Sequence, residues 1–308
     1  MSDALATAAD ESLAYIEAPD GQLLAILTRP VGPTVRGGVL LCPGGWFGTV
    51  TNRNRVYIRL ARELAARGYG VLRFDWHGVG ESEGIIERYD LDLPFTGDVA
   101  AAARFLEGYG YGSVSVLGVC FGARSALAAA PVIPSLRELL LISFPVPTTE
   151  TASKLAYYDR KLSVTHMLRM GLRRDVVAGL LDTQMRRMYR KAIRTKWRAL
   201  RARAGRAAQP RSVRTRLTPE SLLRRLQHLD EAQVPVTFLF GDDDVELKAF
   251  AQFGMGSVHV QCTSPTTSAR VNTVAGKIHG FESIEIQDLV IDHVVSQLTN
   301  RAAVSGSG

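Results

Sequence analysis

Two hydrophobic rhythms alternate along most of the chain. Short, nearly continuous apolar runs bounded by Gly, Pro or Asp predict buried strands at 21–28, 38–42, 70–75, 113–117, 138–143, 235–240 and 270–274. Between them, longer-period patterns predict helices. Residues 54–67 place Tyr57, Leu60, Ala61 and Leu64 on one face, with Gly68 as the C-terminal stop. Residues 97–106, 123–130, 219–227 and 282–298 read as further helices. Strand and helix alternating through short links predict an α/β fold, a mostly parallel central sheet with helices on both faces.

The rhythm stops between the strand at 138–143 and the strand at 235–240. The intervening stretch is helix-rich, with Met167, Met170, Met185 and Met188 set among arginines. Residues 151–230 hold 21 Lys and Arg against 5 Asp and Glu, a balance of +16, whereas the rest of the chain holds 16 against 25, a balance of −9. The overall charge of +7 therefore belongs to one segment. The expected organisation is a core from 1–148 and 231–300, a basic helical insertion over 149–230 and a small polar tail at 301–308.

Composition narrows the class further. At 308 residues, 46% hydrophobic and 22% charged, the chain is ordinary for a protein with a sizeable core. It lacks an apolar run of the ~18 residues that a membrane span needs. Residues 1–12 carry Asp3, Asp10 and Glu11 and no signal-peptide pattern. Three cysteines, Cys42, Cys120 and Cys262, do not make a disulfide framework, so a reducing cytoplasm is expected. Cys42 falls inside an apolar strand and reads as core. No ligand cluster or phosphate-binding glycine loop stands out, so neither a metal nor an organic cofactor is expected.

The candidate chemistry starts at Gly118-Val119-Cys120-Phe121-Gly122, a G-x-C-x-G between an apolar strand and a small-residue helix. So sharp a turn forces its central residue into strained geometry, and Gly118 and Gly122 let strand and helix pack. The apex thiol is then held out above a helix N-terminus. The alternative is that Cys120 is a small buried hydrophobe. A nucleophile needs a base, and an acid to orient that base. Asp244, three residues past Gly241, and His279, after the last strand, supply them at C-terminal strand ends.

These stations resemble the α/β-hydrolase superfamily, whose order is nucleophile, acid, histidine. The resemblance covers about 20–148 and 231–300. It rests on Pro43-Gly44-Gly45, on Asp75-x-His77-Gly78-x-Gly80-x-Ser82, on the Cys120 elbow, and on Gly241-x-x-Asp244 with His279. It implies His279 as general base, Asp244 as acid, and an oxyanion hole from the Phe121 N–H with that of Gly45 or Trp46. Trp46 reads equally as a pocket wall. His77 is the rival histidine because its loop borders the site, and Asp75 reads as a tie within that loop.

The cysteine resembles that of three groups in the superfamily. These are thioesterase-like enzymes of polyketide and nonribosomal peptide pathways, including acyl shuttles and Dieckmann cyclases; dienelactone hydrolases; and polyhydroxyalkanoate synthases, which are much larger chains. Thiolate attack on a thioester gives another thioester and keeps the acyl group activated, whereas attack on a simple ester is less favoured. The expected function is acyl transfer through Cys120 from a carrier-bound chain, by transfer or cyclisation. The alternative is a hydrolase of activated esters, lactones or thioesters. The insertion sits where the superfamily carries its lid. Arg186, Arg187, Arg190, Arg194 and Arg198 could dock an acidic acyl or peptidyl carrier protein, or form only a solvated face. Its apolar helical face could form a homodimer. Nucleic-acid binding has no aromatic interleaving or motif behind it.

Overall fold

The protein is described from a computed structural model covering residues 10–45, 48–86, 90–147, 217–255 and 269–305. The chain divides into two compact units. One comprises residues 1–84, 94–146 and 216–308; the other comprises 85–93 and 147–215, nearly all of it outside the described residues.

The first unit is built on eight strands: β1 (Glu11–Ala18), β2 (Gly21–Thr28), β3 (Gly37–Cys42), β4 (Tyr69–Phe74), β5 (Val114–Val119), β6 (Leu136–Ile142), β7 (Val236–Gly241) and β8 (Arg270–Val274). Their order across the sheet is β1-β2-β4-β3-β5-β6-β7-β8. The pairs β1–β2 and β2–β4 are antiparallel, and all pairs from β4 onward are parallel. The inner parallel strands read as largely apolar runs because helices cover both faces, whereas the edge strand β8 is only partly buried. The helices are α1 (Val56–Ala65), α2 (Thr96–Gly108), α3 (Phe121–Ala129), α4 (Pro219–Glu231), α5 (Val245–Phe250) and α6 (Ile284–Ser305).

Strand alternation sorts the two layers. Val39 and Leu41 of β3 join Tyr57, Leu60 and Leu64 of α1 and Val290, Ile291 and Val294 of α6 in one core cluster. Gly38 faces the opposite way, so that a Cβ there would lie 3.4 Å from Leu106 Cδ1 of α2. Helix α4 is closed by a capping box, in which Thr218 Oγ1 accepts from the Ser221 N–H and Ser221 Oγ accepts from the Thr218 N–H.

Among the described strands, the one the hydrophobic pattern did not predict is β1. Its partner-facing polar group has a structural purpose: Glu11 lies 3.2 Å from the guanidinium of Arg73, a cation on β4 that is almost wholly buried. Arg73 also donates to the Val50 carbonyl at 3.2 Å. Burial pulls the guanidinium below its ordinary range, and Glu11 opposes that pull.

Candidate active site

Cys120 stands between β5 and α3 with φ 50° and ψ −115°, a conformation that L-residues rarely adopt. Its flanking glycines are required by contact. A Cβ on Gly118 would lie 2.5 Å from the Gly122 carbonyl carbon, and one on Gly122 would lie 2.4 Å from the Cys42 carbonyl oxygen. The elbow is thus pressed against the end of β3, in register with Cys42 opposite Gly118. The Pro43-Gly44-Gly45 turn follows directly, and a Cβ on Gly44 would meet Val119 at 3.2 Å.

The Phe121 N–H is the first of α3, where backbone donors point outward at a helix N-terminus. Its ring is buried against Phe95 at 4.8 Å and Trp76 at 6.0 Å. Gly45 is half-buried, with open space beside its α-carbon. Trp46 lies outside the described residues, as do Arg186, Arg187, Arg190, Arg194 and Arg198 and with them the expected lid.

His279 comes from the loop after β8 and shares a side-chain hydrogen bond with Cys120. Its Nδ1 lies 2.6 Å from Oε1 of Glu246, in the first turn of α5. The hydrogen bonds to Cys120 and to Glu246 push the imidazole up to about 10, against the opposing effect of burial.

Asp244, the expected acid, meets the main chain of this loop. Its buried carboxylate is used by the backbone: Oδ2 accepts from the Gly241 N–H at 2.9 Å and from Ser143 Oγ at 3.3 Å. Oδ1 accepts from the N–H groups of Ile278 at 3.1 Å and His279 at 3.4 Å. Asp244 therefore fixes where the histidine loop sits, while Glu246 faces the imidazole. The reason is reach. An aspartate at the strand end meets the main chain of the adjacent loop, and a glutamate one helical step later spans to the ring. Spacing from Gly241 pointed to Asp244 and did not single out Glu246, although a carboxylate in the first turn of the following helix was visible.

His77 does not join this group. Its Nδ1 lies 2.8 Å from Asp98 Oδ2, and the same oxygen accepts the His77 backbone N–H at 3.0 Å. Burial alone would lower the imidazole, but the hydrogen bond and charge of Asp98, with Asp20 beyond it, raise it. The donor atoms of Asp20, His77 and Asp98 all lie within 4.8 Å of one another, a grouping the sequence did not reveal, and the His77–Asp98 hydrogen bond accounts for it. Asp75 ties its loop together, accepting from the Val50 N–H at 2.6 Å and the Glu81 N–H at 3.4 Å. Cys42 is fully buried, and burial drives its thiol far above the ordinary range.

A model described as the alpha/beta hydrolase family matches residues 39–268. The chain belongs to that family. Among solved structures it is similar to dienelactone hydrolase from Anabaena variabilis, at TM-score 0.57 and 15% identity over 95% of this chain and 98% of that one. It is also similar to proline iminopeptidase of Mycobacterium smegmatis, at TM-score 0.56 and 15% identity over 96% and 100%. The esterase Pf2001 of Pyrococcus furiosus matches at TM-score 0.56 and 13% identity over 98% and 95%. At these identities the likeness is one of fold. An uncharacterized protein of Rickettsia prowazekii, RP471, is 29% identical over 136 residues, which are 44% of this alpha/beta hydrolase and 56% of that protein. The chain thus spans only about half the length of this relative. Among the described residues no helix is long and apolar enough to cross a membrane.

Proposed function

We propose that this alpha/beta hydrolase cleaves activated acyl compounds (thioesters, lactones or activated esters) through an acyl-Cys120 intermediate. The observation that carries the reading is the unbroken line from the strained Cys120 elbow to His279 and from His279 Nδ1 to Glu246. In the first half-reaction the Cys120 thiol passes its proton to His279 as its sulfur bonds to the acyl carbon, the bond to the leaving thiol or alcohol breaks, and His279 gives that proton to the leaving group. In the second, water adds to the acyl carbon as His279 takes a proton, the C–S bond breaks, and the free acid and the Cys120 thiol are restored. Glu246 holds the imidazole in the tautomer that presents its other nitrogen to sulfur. The N–H of Phe121, with that of Gly45, would take the oxyanion.

Thiol chemistry favours a second reading of the same intermediate. The acyl-cysteine remains a thioester, so an amine, a thiol or an internal carbon of the acyl chain could accept it in place of water. A carrier protein as donor rests on the arginines of the basic segment alone. Intact-protein mass spectrometry with short acyl-pantetheine thioesters, and with a lactone in view of the Anabaena neighbour's name, separates these readings. The expected result is an acyl mass gain absent from Cys120→Ala and discharged by water. An adduct stable in water but cleared by an added amine or thiol would establish transfer, and no adduct with any of these compounds would overturn both.

A further inference from the structure

Among the described residues, seven other than glycine have φ in the left-handed region. Six of them, Asn52, Asn54, Arg55, Cys120, Ser143 and Phe281, follow the C-terminal ends of parallel strands, the edge that carries the candidate site. Phe281 is the least expected of these. It is a bulky, almost wholly buried aromatic at φ 48°, where a side chain of that size is a genuine outlier that the surroundings must hold in place. It lies two residues beyond His279, and its N–H closes the His279 turn onto the Ile278 carbonyl at 3.1 Å.

The holding groups are specific. Asn54 Nδ2 donates to the Phe281 carbonyl at 2.8 Å, across 227 residues of sequence. Gln287 Nε2 donates to the same oxygen at 3.1 Å, and Gln287 Oε1 accepts from Arg59 at 2.9 Å. Asn54 and Arg59 belong to the segment after β3, and Gln287 to α6. On the other side of the turn Asp244 takes the N–H groups of Ile278 and His279, and Asp242 Oδ1 takes that of Gly276 at 2.7 Å. The histidine loop is therefore gripped at its entrance by the β7–α5 turn and at its exit by Asn54 and Gln287.

We propose that Asn54 and Gln287 are positioning residues for the candidate base: by converging on the Phe281 carbonyl they hold the strained turn that sets His279 between Cys120 and Glu246. This rests on the reading of His279 as the base of Cys120. Neither residue touches the reacting atoms, so each acts through the turn. The design uses the left-handed preference of asparagine to aim its own amide, since Asn54 itself sits at φ 52° and ψ 28°.

The test separates geometry from mere stability. Asn54→Gly keeps the backbone conformation and removes the donor. Gln287→Glu keeps the acceptor for Arg59 and removes the donor. The readouts on the full chain are the pH profile of Cys120 alkylation by chloroacetamide, the acylation rate with an acyl-pantetheine thioester, and the thermal midpoint. The double variant is expected to stay folded, to acylate on the order of tenfold more slowly, and to shift its alkylation profile toward that of His279→Ala, because small misplacements of a catalytic group are costly in rate. A lowered thermal midpoint with wild-type profile and rate would overturn the proposal and leave a structural clamp. If His279→Ala itself leaves the Cys120 profile unchanged, the reading of the base falls, a result distinguishable from failure of the clamp alone.

Discussion

At the scale of single residues, the two carboxylates beside the histidine loop make separable predictions. Asp244→Asn turns an NH2 group toward backbone donors that now have a carboxylate, so it should destabilise the protein by about 1–3 kcal/mol. The thermal midpoint should fall, and activity should fall with it as the Ile278–His279 backbone relaxes. Glu246→Gln leaves that backbone alone and removes the charge on Nδ1. Its midpoint should fall at neutral pH, where the raised His279 contributes nearly in full, and recover toward the wild-type value near pH 10, while Cys120-dependent turnover falls by on the order of 10²-fold. Melting curves and single-turnover acylation on the two variants check both statements. The opposite pairing, with a silent Glu246→Gln and an inactive but stable Asp244→Asn, would return the acid's role to Asp244. The sequence led toward Asp244 because spacing from Gly241 locates a strand end but does not say which of two nearby carboxylates meets a ring and which meets a backbone. His77 illustrates the same limit: its loop was legible, but its Asp98 partner lies 21 residues on, in another element.

At the scale of elements, the elbow is set by close approach. Gly122→Ala places a Cβ 2.4 Å from one carbonyl oxygen and 2.5 Å from another, both of them backbone, so neither neighbour can swing aside. We expect it to lower the thermal midpoint by several degrees or more, with loss of Cys120 alkylation by chloroacetamide as the more direct readout. The elbow was legible because glycines at fixed offsets around a central residue carry its steric requirement in the sequence itself. The inner parallel strands were legible because burial on both faces leaves a largely apolar run. Strand β1 was not, since as the edge of the sheet it exposes Leu13 and Tyr15 on one face and buries Ile16 on the other, so hydropathy does not follow the alternation of burial. Its worth lies in Glu11 and the buried Arg73. Glu11→Ala should cost about 1–3 kcal/mol, the range for leaving a buried polar group without its partner, which denaturant unfolding would show. Arg73→Met, which removes the buried charge itself, should make a subsequent loss of Glu11 nearly silent.

At the scale of the whole molecule, the charged groups whose behaviour folding changes give stability a direction with pH. His279, raised to about 10 by Cys120 and Glu246, keeps its proton in the folded state over a range where the unfolded chain, near 6.5, has lost it. Its contribution is therefore complete below about pH 6.5 and drains away as pH rises toward 10. His77, raised by Asp98 and Asp20, has the same sign. His293, lowered by burial, has the opposite sign, but its effect falls below 6.5, where the unfolded chain takes up a proton that the folded one resists. Above pH 6.5 both raised histidines therefore weaken the fold as pH rises, His279 over the range up to about 10, and His293 is silent. Wild-type protein should lose thermal stability across that window. Glu246→Gln, which removes the negative charge of one of the two partners that raise His279, should lose less, so that the two melting midpoints converge toward pH 10 after differing most near 6.5. Parallel curves would mean that His279 does not carry a raised proton affinity. The site would then hold a neutral imidazole beside Cys120, free to take a proton only when substrate arrives.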